Sequence, residues 1–240
     1  MKRILVFVLL LIFTSSLTYS NEKPQVELKR INDSIWVHIS YFNYNGYSIP
    51  SNGIVAVTDA GLILIDTPWT NVQTQELTNL IRQKFGKDIV LAIITHAHQD
   101  RIGGIDTLLQ NNIETISTTL TAEYASKAGY QKPQGKITNE IQPFTIGEMK
   151  LEVFYPGPAH TKDNIVVYFP DFKVLFGGCI VKAENSDNLG NISEGDPVSY
   201  PVVMKKLLDR YVEAEVVVPG HGIWGGAGLL EHTLKLAMNQ

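Results

Sequence analysis

The sequence predicts a layered α/β fold in which two β-sheets pack together and helices cover their outer faces. Three observations predict it. Short β-rich runs occur in both halves of the chain, helical segments are interspersed among them, and some runs are continuously apolar, as in strands buried on both faces. The 240 residues are 44% apolar and 18% charged, so the chain can bury a sizeable core and is not disordered.

The first twenty residues have the pattern of a secretory signal peptide. Lys2 and Arg3 precede an apolar run over residues 4–13, and a polar stretch then leads to Ser20. The run is shorter than the roughly 20 residues of a membrane span, and an uncleaved amphipathic anchor is the alternative. No cysteine stands near its end, which excludes lipid attachment there. We expect residues 1–20 to be removed and residues 21–240 to form one domain, located in the periplasm or secreted and free of the membrane.

The charge balance excludes several classes of partner. Lys and Arg number 20 and Asp and Glu 24, a net charge of −4; loss of two cations with the signal peptide leaves 18 against 24, or −6. Such a mildly acidic chain has no global attraction to nucleic acid. The single cysteine permits no internal disulfide. We expect a monomer, because no segment predicts an exposed apolar helix face.

Strands and helices alternate in the first half. The strand-like runs occupy residues 34–40, 53–58, 62–66, 89–94 and 113–117. A turn over residues 59–61 pairs the second run with the third as a hairpin. Residues 71–85 predict an amphipathic helix, with Thr70 as its N-cap and Gly86 as its stop. Further helices are expected from near Gly103 and over residues 122–128.

The second half repeats this alternation. Residues 149–154, 165–169, 173–176 and 215–218 predict strands. Residues 198–210 predict a helix with Pro197 suited to its first turn, and residues 229–238 predict a closing helix.

Polar residues with metal-binding chemistry follow the ends of these strands. The candidates are His96, His98, Asp100, His160, Cys179 and His221. Most stand beside Gly or Pro, in the strand-end loops where α/β folds place their sites. His96 and His98, two residues apart in a turn, can converge on one ion. Imidazole and thiolate ligands suit zinc, and six ligands can serve two zinc ions with open positions for water, which is the catalytic pattern.

Not every histidine or acidic residue is expected to bind metal. We expect His38 and His232 to be ordinary surface or core histidines. An unpaired cysteine in an exported protein favours metal ligation of Cys179. Asp66 is interpreted as a buried structural acid rather than a ligand.

The ordered motif His96-Ala-His98-Gln-Asp100, followed by His160, Cys179 and His221, resembles the metallo-β-lactamase superfamily, and within it the class B enzymes of subclass B1. The likeness spans nearly all of residues 21–240. It implies an αβ/βα four-layer sandwich with a dinuclear zinc site at one edge. His96, His98 and His160 would form the first site, and Asp100, Cys179 and His221 the second. Hydrolase relatives such as glyoxalase II carry histidine after the motif aspartate, whereas this chain has Arg101, which as a cation cannot ligate.

The resemblance also implies a reaction. A zinc-bound hydroxide would attack the lactam carbonyl of a penicillin, cephalosporin or carbapenem, with Asp100 orienting the nucleophile and Asn191 donating to the oxyanion. Lys182 would pair with the substrate carboxylate, and Arg101 would support the site from beneath. Such an activity confers β-lactam antibiotic resistance.

An aromatic segment before the metal motif completes the expected site. Residues 41–49 include Tyr44 and the turn signal Asn45-Gly46, and resemble a mobile flap with Trp69 on the neighbouring wall. An edge hairpin packed on the body of the protein is the alternative.

Two other functions remain open at this point. The chain could be another hydrolase of the superfamily, acting on a lactone, thioester or phosphodiester, although Arg101, Cys179 and Lys182 argue against it. It could also bind zinc without turnover; the open coordination positions argue for catalysis.

Overall fold

The computed structural model describes residues 26–240, and the predicted signal peptide lies outside the described residues. Two mixed sheets and six α-helices form the fold. The first sheet has seven strands, arranged in space in their order along the chain: β1 (Val26–Arg30), β2 (Ile35–Tyr44), β3 (Tyr47–Val57), β4 (Leu62–Ile65), β5 (Ile89–Ile93), β6 (Glu114–Thr118) and β7 (Gln134–Ile137). The second sheet has five strands in reverse chain order: β12 (Val216–Pro219), β11 (Val174–Gly178), β10 (Val166–Phe169), β9 (Met149–Phe154) and β8 (Ile141–Ile146).

The helices lie on the outer faces of the sheets. They are α1 (Asn71–Phe85), α2 (Gln99–Ile102), α3 (Ile105–Gln110), α4 (Thr119–Lys127), α5 (Tyr200–Arg210) and α6 (Gly228–Met238). Thr70 caps α1 by accepting from Gln73 N, and Gly86 ends it in the left-handed conformation, as predicted. Among the described residues, none of these helices has the length and apolarity that a membrane span requires.

The main apolar core lies between the two sheets. It combines Ile54 and Ile65 of the first sheet with Val153 and Phe176 of the second, all fully buried. A second core packs Leu175 and Val217 against α5 and α6, and a third packs Leu64 against α1. Helix, sheet, sheet and helix therefore form four layers, the αβ/βα sandwich that the resemblance implies.

Three strands were missed from the sequence, and all three are edge strands. These are β1, β7 and β8. An edge strand buries less apolar surface than a central one, so its pattern is weak: three of the four residues of β7 are exposed, and β8 carries Pro143. Proline is tolerated there because one side of an edge strand forms no ladder bonds.

Some predicted boundaries were also wrong. Pro197 is not in the first turn of α5, which begins at Tyr200 and has Pro201 in that position instead. The helix expected near Gly103 begins at Gln99, and Gly103 and Gly104 separate α2 from α3. The β2–β3 hairpin is longer than its apolar core suggests and closes at Asn45-Gly46, where both residues have positive φ, as a two-residue hairpin turn requires.

Candidate metal centre and active site

The carboxyl ends of several strands meet at one edge of the sandwich. Strands β4, β5 and β6 run parallel to one another, as do β11 and β12. The loops after β5, β11 and β12 therefore bring His96, Cys179 and His221 to the same place, as the strand-end pattern predicts.

Three histidines form one donor group. The ring centroids of His96, His98 and His160 lie 4.8, 5.0 and 5.2 Å apart, and the rings are nearly perpendicular to one another. His98 Nδ1 lies 3.3 Å from His160 Nε2. One nitrogen of each ring lies within 4.8 Å of the others, so the three can hold a metal ion.

A second donor group lies beside the first. Asp100 Oδ2 is 3.3 Å from Cys179 Sγ and 3.1 Å from His221 Nε2, and the sulfur is 3.5 Å from the same nitrogen. The donor atoms of Asp100 and Cys179 also lie within 4.8 Å of one of His96. The two groups are therefore contiguous and mix carboxylate, thiol and imidazole, which is a zinc-type donor set.

Hydrogen bonds hold the outer nitrogens of two of the histidines. His221 Nδ1 donates to Pro50 O at 2.6 Å, and His98 Nε2 donates to the Glu194 carboxylate at 3.2 Å. In His98 the proton on the outer Nε2 leaves a free lone pair on Nδ1, the nitrogen that faces His160. Among the described residues, buried His96 Nε2 has no hydrogen-bond partner. A buried polar atom without a partner is costly, so His96, together with the neighbouring donors, fits a bound metal ion.

Two buried carboxylates hold the loop that carries His96 and His98. Asp66, in a left-handed conformation after β4, accepts from Thr95 N and Oγ1 at 2.7 and 2.8 Å. Asp163 accepts from Ala97 N at 3.0 Å, across 66 residues of sequence. Burial raises the pKa of Asp66 to about 7, although Arg101 and Thr95 act in the opposite direction. The contacts of Asp66 are structural, in line with its predicted role.

Arg101 is fully buried beneath the second donor group. Its guanidinium lies 2.8 Å from Asp100 Oδ2 and donates to the carbonyls of Asn52 and Gly220 at 2.5 and 2.8 Å. These partners belong to three separate segments, so one side chain joins strand β3, the helix of Asp100 and the loop of His221. A guanidinium offers no lone pair, so position 101 contributes orientation and charge only.

The charges of the second group are mutually stabilised. Burial alone would raise the pKa of Asp100, but Arg101 and His221 outweigh it and hold that pKa well below its usual range. Burial would lower the pKa of His221, but its interactions with Cys179 and Asp100 raise it to about 10. The anionic surroundings of His221 Nε2 favour a cation at this point.

Lys182 emerges from the turn after Cys179. Its ammonium donates to Cys179 O at 2.8 Å, and burial lowers its pKa. It lines a cavity of about 300 Å³ together with Asn188, Gly190 and His221. A larger groove of about 640 Å³ lies on the other side of the donor groups, lined by His98, Tyr124, Lys127, Lys162 and Glu194 among others.

The other residues predicted to contact substrate are Trp69, Tyr44 and Asn191, and they lie around the donor groups rather than in them. Trp69 stacks on Phe42 of β2 with ring centroids 5.1 Å apart and lies 6.2 Å from the His221 ring. Tyr44 is exposed at the tip of the β2–β3 hairpin. Asn191 is exposed, and its amide oxygen accepts from Ser193 N and Oγ, contacts within its own loop.

His38 and His232 take no part in either donor group. His38 Nε2 lies 3.3 and 3.2 Å from the carbonyls of Ile65 and Asp66, and burial lowers its pKa to about 4. His232 Nε2 donates to Ser186 O at 3.0 Å.

Four supporting residues were missed by sequence reasoning. Asp163 accepts from Ala97 N, Glu194 contacts His98, Asn52 Nδ2 donates to the carbonyls of Pro219 and Gly222, and Thr233 Oγ1 accepts from Lys182 N. No local motif marks these residues, because each acts on a segment far away in sequence.

Comparisons with known proteins identify the family of the chain. The metallo-beta-lactamase superfamily matches residues 47–221. The metallo-beta-lactamase type 2 of Bacillus sp. (strain 170) is 44% identical over 216 residues, covering 90% of this chain and 84% of the relative, and that of Bacillus cereus is 43% identical with the same coverage. The solved structure of a metallo-beta-lactamase from Pontibacter korlensis superposes with a TM-score of 0.87 at 40% identity, covering 90% of this chain and all of that one.

The fold and the clustered donors define a metallohydrolase, and the chain belongs to the metallo-beta-lactamase superfamily. Within that superfamily it is a zinc-dependent β-lactamase of class B, subclass B1.

Proposed function

We propose that the chain is a secreted β-lactamase that holds two zinc ions, one bound by His96, His98 and His160, and the other by Asp100, Cys179 and His221. The observation that carries the proposal is the pair of contiguous donor groups, whose imidazole, carboxylate and sulfur atoms face one another at short distances. Three protein ligands for each ion leave positions for water and substrate, which is the arrangement of catalytic rather than structural zinc.

The reaction adds water across the lactam amide. When bound, zinc supplies Lewis acidity, which makes a water molecule nucleophilic near neutral pH and polarises the carbonyl. Asp100 remains ionised because Arg101 holds its pKa low, so its carboxylate can accept a hydrogen bond from the attacking water. The carbonyl carbon gains the hydroxyl, the carbon–nitrogen bond breaks, and the nitrogen gains a proton. Asn191 would donate from Nδ2 to the developing oxyanion, after its side chain leaves the Ser193 contact.

Lys182 and the aromatic residues Tyr44 and Trp69 would recognise the substrate. Penicillins, cephalosporins and carbapenems share a carboxylate beside the lactam ring, and the Lys182 ammonium stands at the cavity next to His221. The β2–β3 hairpin with Tyr44 would close over the substrate, while Trp69 forms the neighbouring wall. The Phe42–Trp69 stacking joins the base of that hairpin to the wall.

The proposed location outside the cytoplasm rests on the N-terminal segment, and the proposed biological role rests on the β-lactamase activity. The basic and apolar pattern of residues 1–20 supports export to the periplasm or medium. There the protein would act as a monomer on small β-lactams, without a nucleic-acid partner, and would protect its host from these antibiotics, carbapenems included.

The test uses purified residues 21–240 and imipenem hydrolysis followed by ultraviolet absorbance. Hydrolysis should stop when a chelator removes the metal and return when zinc is restored. Zinc content should be two per chain in the parent and one in Cys179→Ser, with Ser193→Ala as the control that retains two. No hydrolysis of imipenem, penicillins or cephalosporins by protein containing two zinc ions would overturn the β-lactamase assignment; lactones and thioesters would then be tried.

A further inference from the structure

The backbone at Lys182 is held by a residue of the last helix. Thr233, fully buried in the middle of α6, accepts a hydrogen bond from Lys182 N at 2.9 Å. The same hydroxyl donates to Leu229 O, four residues earlier in the helix, at 2.7 Å. The hydroxyl oxygen is therefore fixed in direction, because its own proton is already engaged.

Neighbouring anchors hold the rest of the same turn. Tyr200 of α5, fully buried, donates from its hydroxyl to Ile180 O at 2.6 Å. His232, next to Thr233, donates to Ser186 O at 3.0 Å. The segment that carries Cys179 and Lys182 is thus held by hydrogen bonds from α5 and α6, and Thr233 is the residue that bonds the lysine itself.

We propose that Thr233 is a positioning residue for substrate recognition: by accepting from Lys182 N–H, its hydroxyl fixes the point from which the lysine ammonium reaches the substrate carboxylate. This inference rests on the role of Lys182 under the proposed function. The Lys182 side chain folds back onto Cys179 O, so its reach depends on where its own backbone is held. A peptide group that loses its acceptor can rotate, and the ammonium then moves with it.

The contribution of Thr233 can be separated from that of an ordinary helical threonine. Thr78 of α1 is also buried and also donates to the carbonyl four residues earlier, Thr74 O, at 2.8 Å. The difference is that Thr233 accepts from a loop of the site. Thr78→Val is therefore a matched control for removing a buried hydroxyl from a helix.

The experiment compares Thr233→Val, Thr233→Ser, Lys182→Ala and the double variant Thr233→Val/Lys182→Ala in the zinc-loaded enzyme. Loss of one hydrogen bond should raise KM for imipenem about three- to tenfold in Thr233→Val and leave kcat within about twofold. Thr233→Ser should restore the parent KM, and Thr78→Val should not change it. Hydrogen exchange at the Lys182 amide should be faster than in the parent in Thr233→Val, and should not change in Thr233→Ser or Thr78→Val. If Thr233→Val does not fold, Thr233→Ala carries the same expectations.

The double variant decides the interpretation. If Thr233 acts through Lys182, Thr233→Val adds no further increase in KM once Lys182 is alanine. Additive effects, or a Thr233→Val enzyme with the parent KM while Lys182→Ala is impaired, would overturn the inference and leave the role of Lys182 intact. A parent KM in Lys182→Ala would instead overturn that role, and the inference with it.

Discussion

The carboxylate of Glu194 lies 3.2 Å from Nε2 of His98, on the opposite side of the imidazole from Nδ1, the atom that faces His160. A carboxylate that accepts from the outer nitrogen of a ligating histidine fixes its tautomer and makes the inner nitrogen more basic. Glu194 is 69% exposed, so solvent weakens this contact but does not remove its directional effect.

Replacing Glu194 with alanine should weaken metal binding at the three-histidine group by about threefold to tenfold, at the low end for such contacts because the carboxylate is exposed. Competition between the protein and a coloured chelator measures this affinity directly. Glu123→Ala, which removes an exposed carboxylate from α4, is the control. Equal affinity in the Glu194 variant and this control would show that the contact has no effect on metal binding.

Removal of the Arg101 side chain should be strongly destabilising. Arg101→Met leaves the buried carboxylates of Asp100 and Asp66 without their cation and should lower the free energy of unfolding by about 3–5 kcal/mol. Arg101→Lys keeps the charge but loses the forked contacts to Asn52 O and Gly220 O, so its loss should be smaller. Urea denaturation of zinc-saturated protein provides the comparison. Arg82→Met, at an exposed pair with Asp88, should cost no more than about 1 kcal/mol.

His38 should make the stability of the fold depend on acidity. Burial lowers its pKa from 6.5 to about 4, so the imidazole is neutral in both states above pH 6.5. Below that pH the unfolded chain takes up the proton first, and stability is lost progressively until the folded protein is protonated near pH 4. The full loss is on the order of 3 kcal/mol. His38→Gln, which keeps a donor at a similar position but does not titrate, should show a shallower loss between pH 6.5 and 4. If the free energy of unfolding falls equally with pH in the parent and in His38→Gln, His38 is not the source of this pH dependence.

The tip of the β2–β3 hairpin should matter for substrate binding more than for stability. Gly46 has φ +82° with open space around it, so Gly46→Ala strains the turn by about 1 kcal/mol without a clash. We expect a raised KM with a small change in melting temperature. Gly86→Ala at the end of α1, also at positive φ in open space, should cause a similarly small fall in melting temperature but leave KM unchanged. The opposite pattern would argue against a role of the hairpin as a flap.

The central strands and the donor residues can be predicted from the sequence for the same physical reason. Strands such as β5 are buried on both faces, so they are continuously apolar, and polar residues directly after them stand out. The edge strand β7 has no such contrast. Residues such as Glu194 and Thr233 were missed because their partners are about 96 and 51 residues away in sequence, and only the folded topology brings them together.

The contacts of Arg101 also determine when the site can exist during folding. Its guanidinium contacts Gly220, 119 positions further along the chain, and Asn52 holds the loop of His221 across an even longer span. Contacts of such sequence separation form late, because the entropy of closing the intervening chain must be overcome first. A chain in which only one sheet has formed therefore has at most part of the donor set. Metal capture becomes a reporter of completed assembly, and a metal indicator followed in a refolding experiment should lag behind the recovery of secondary structure.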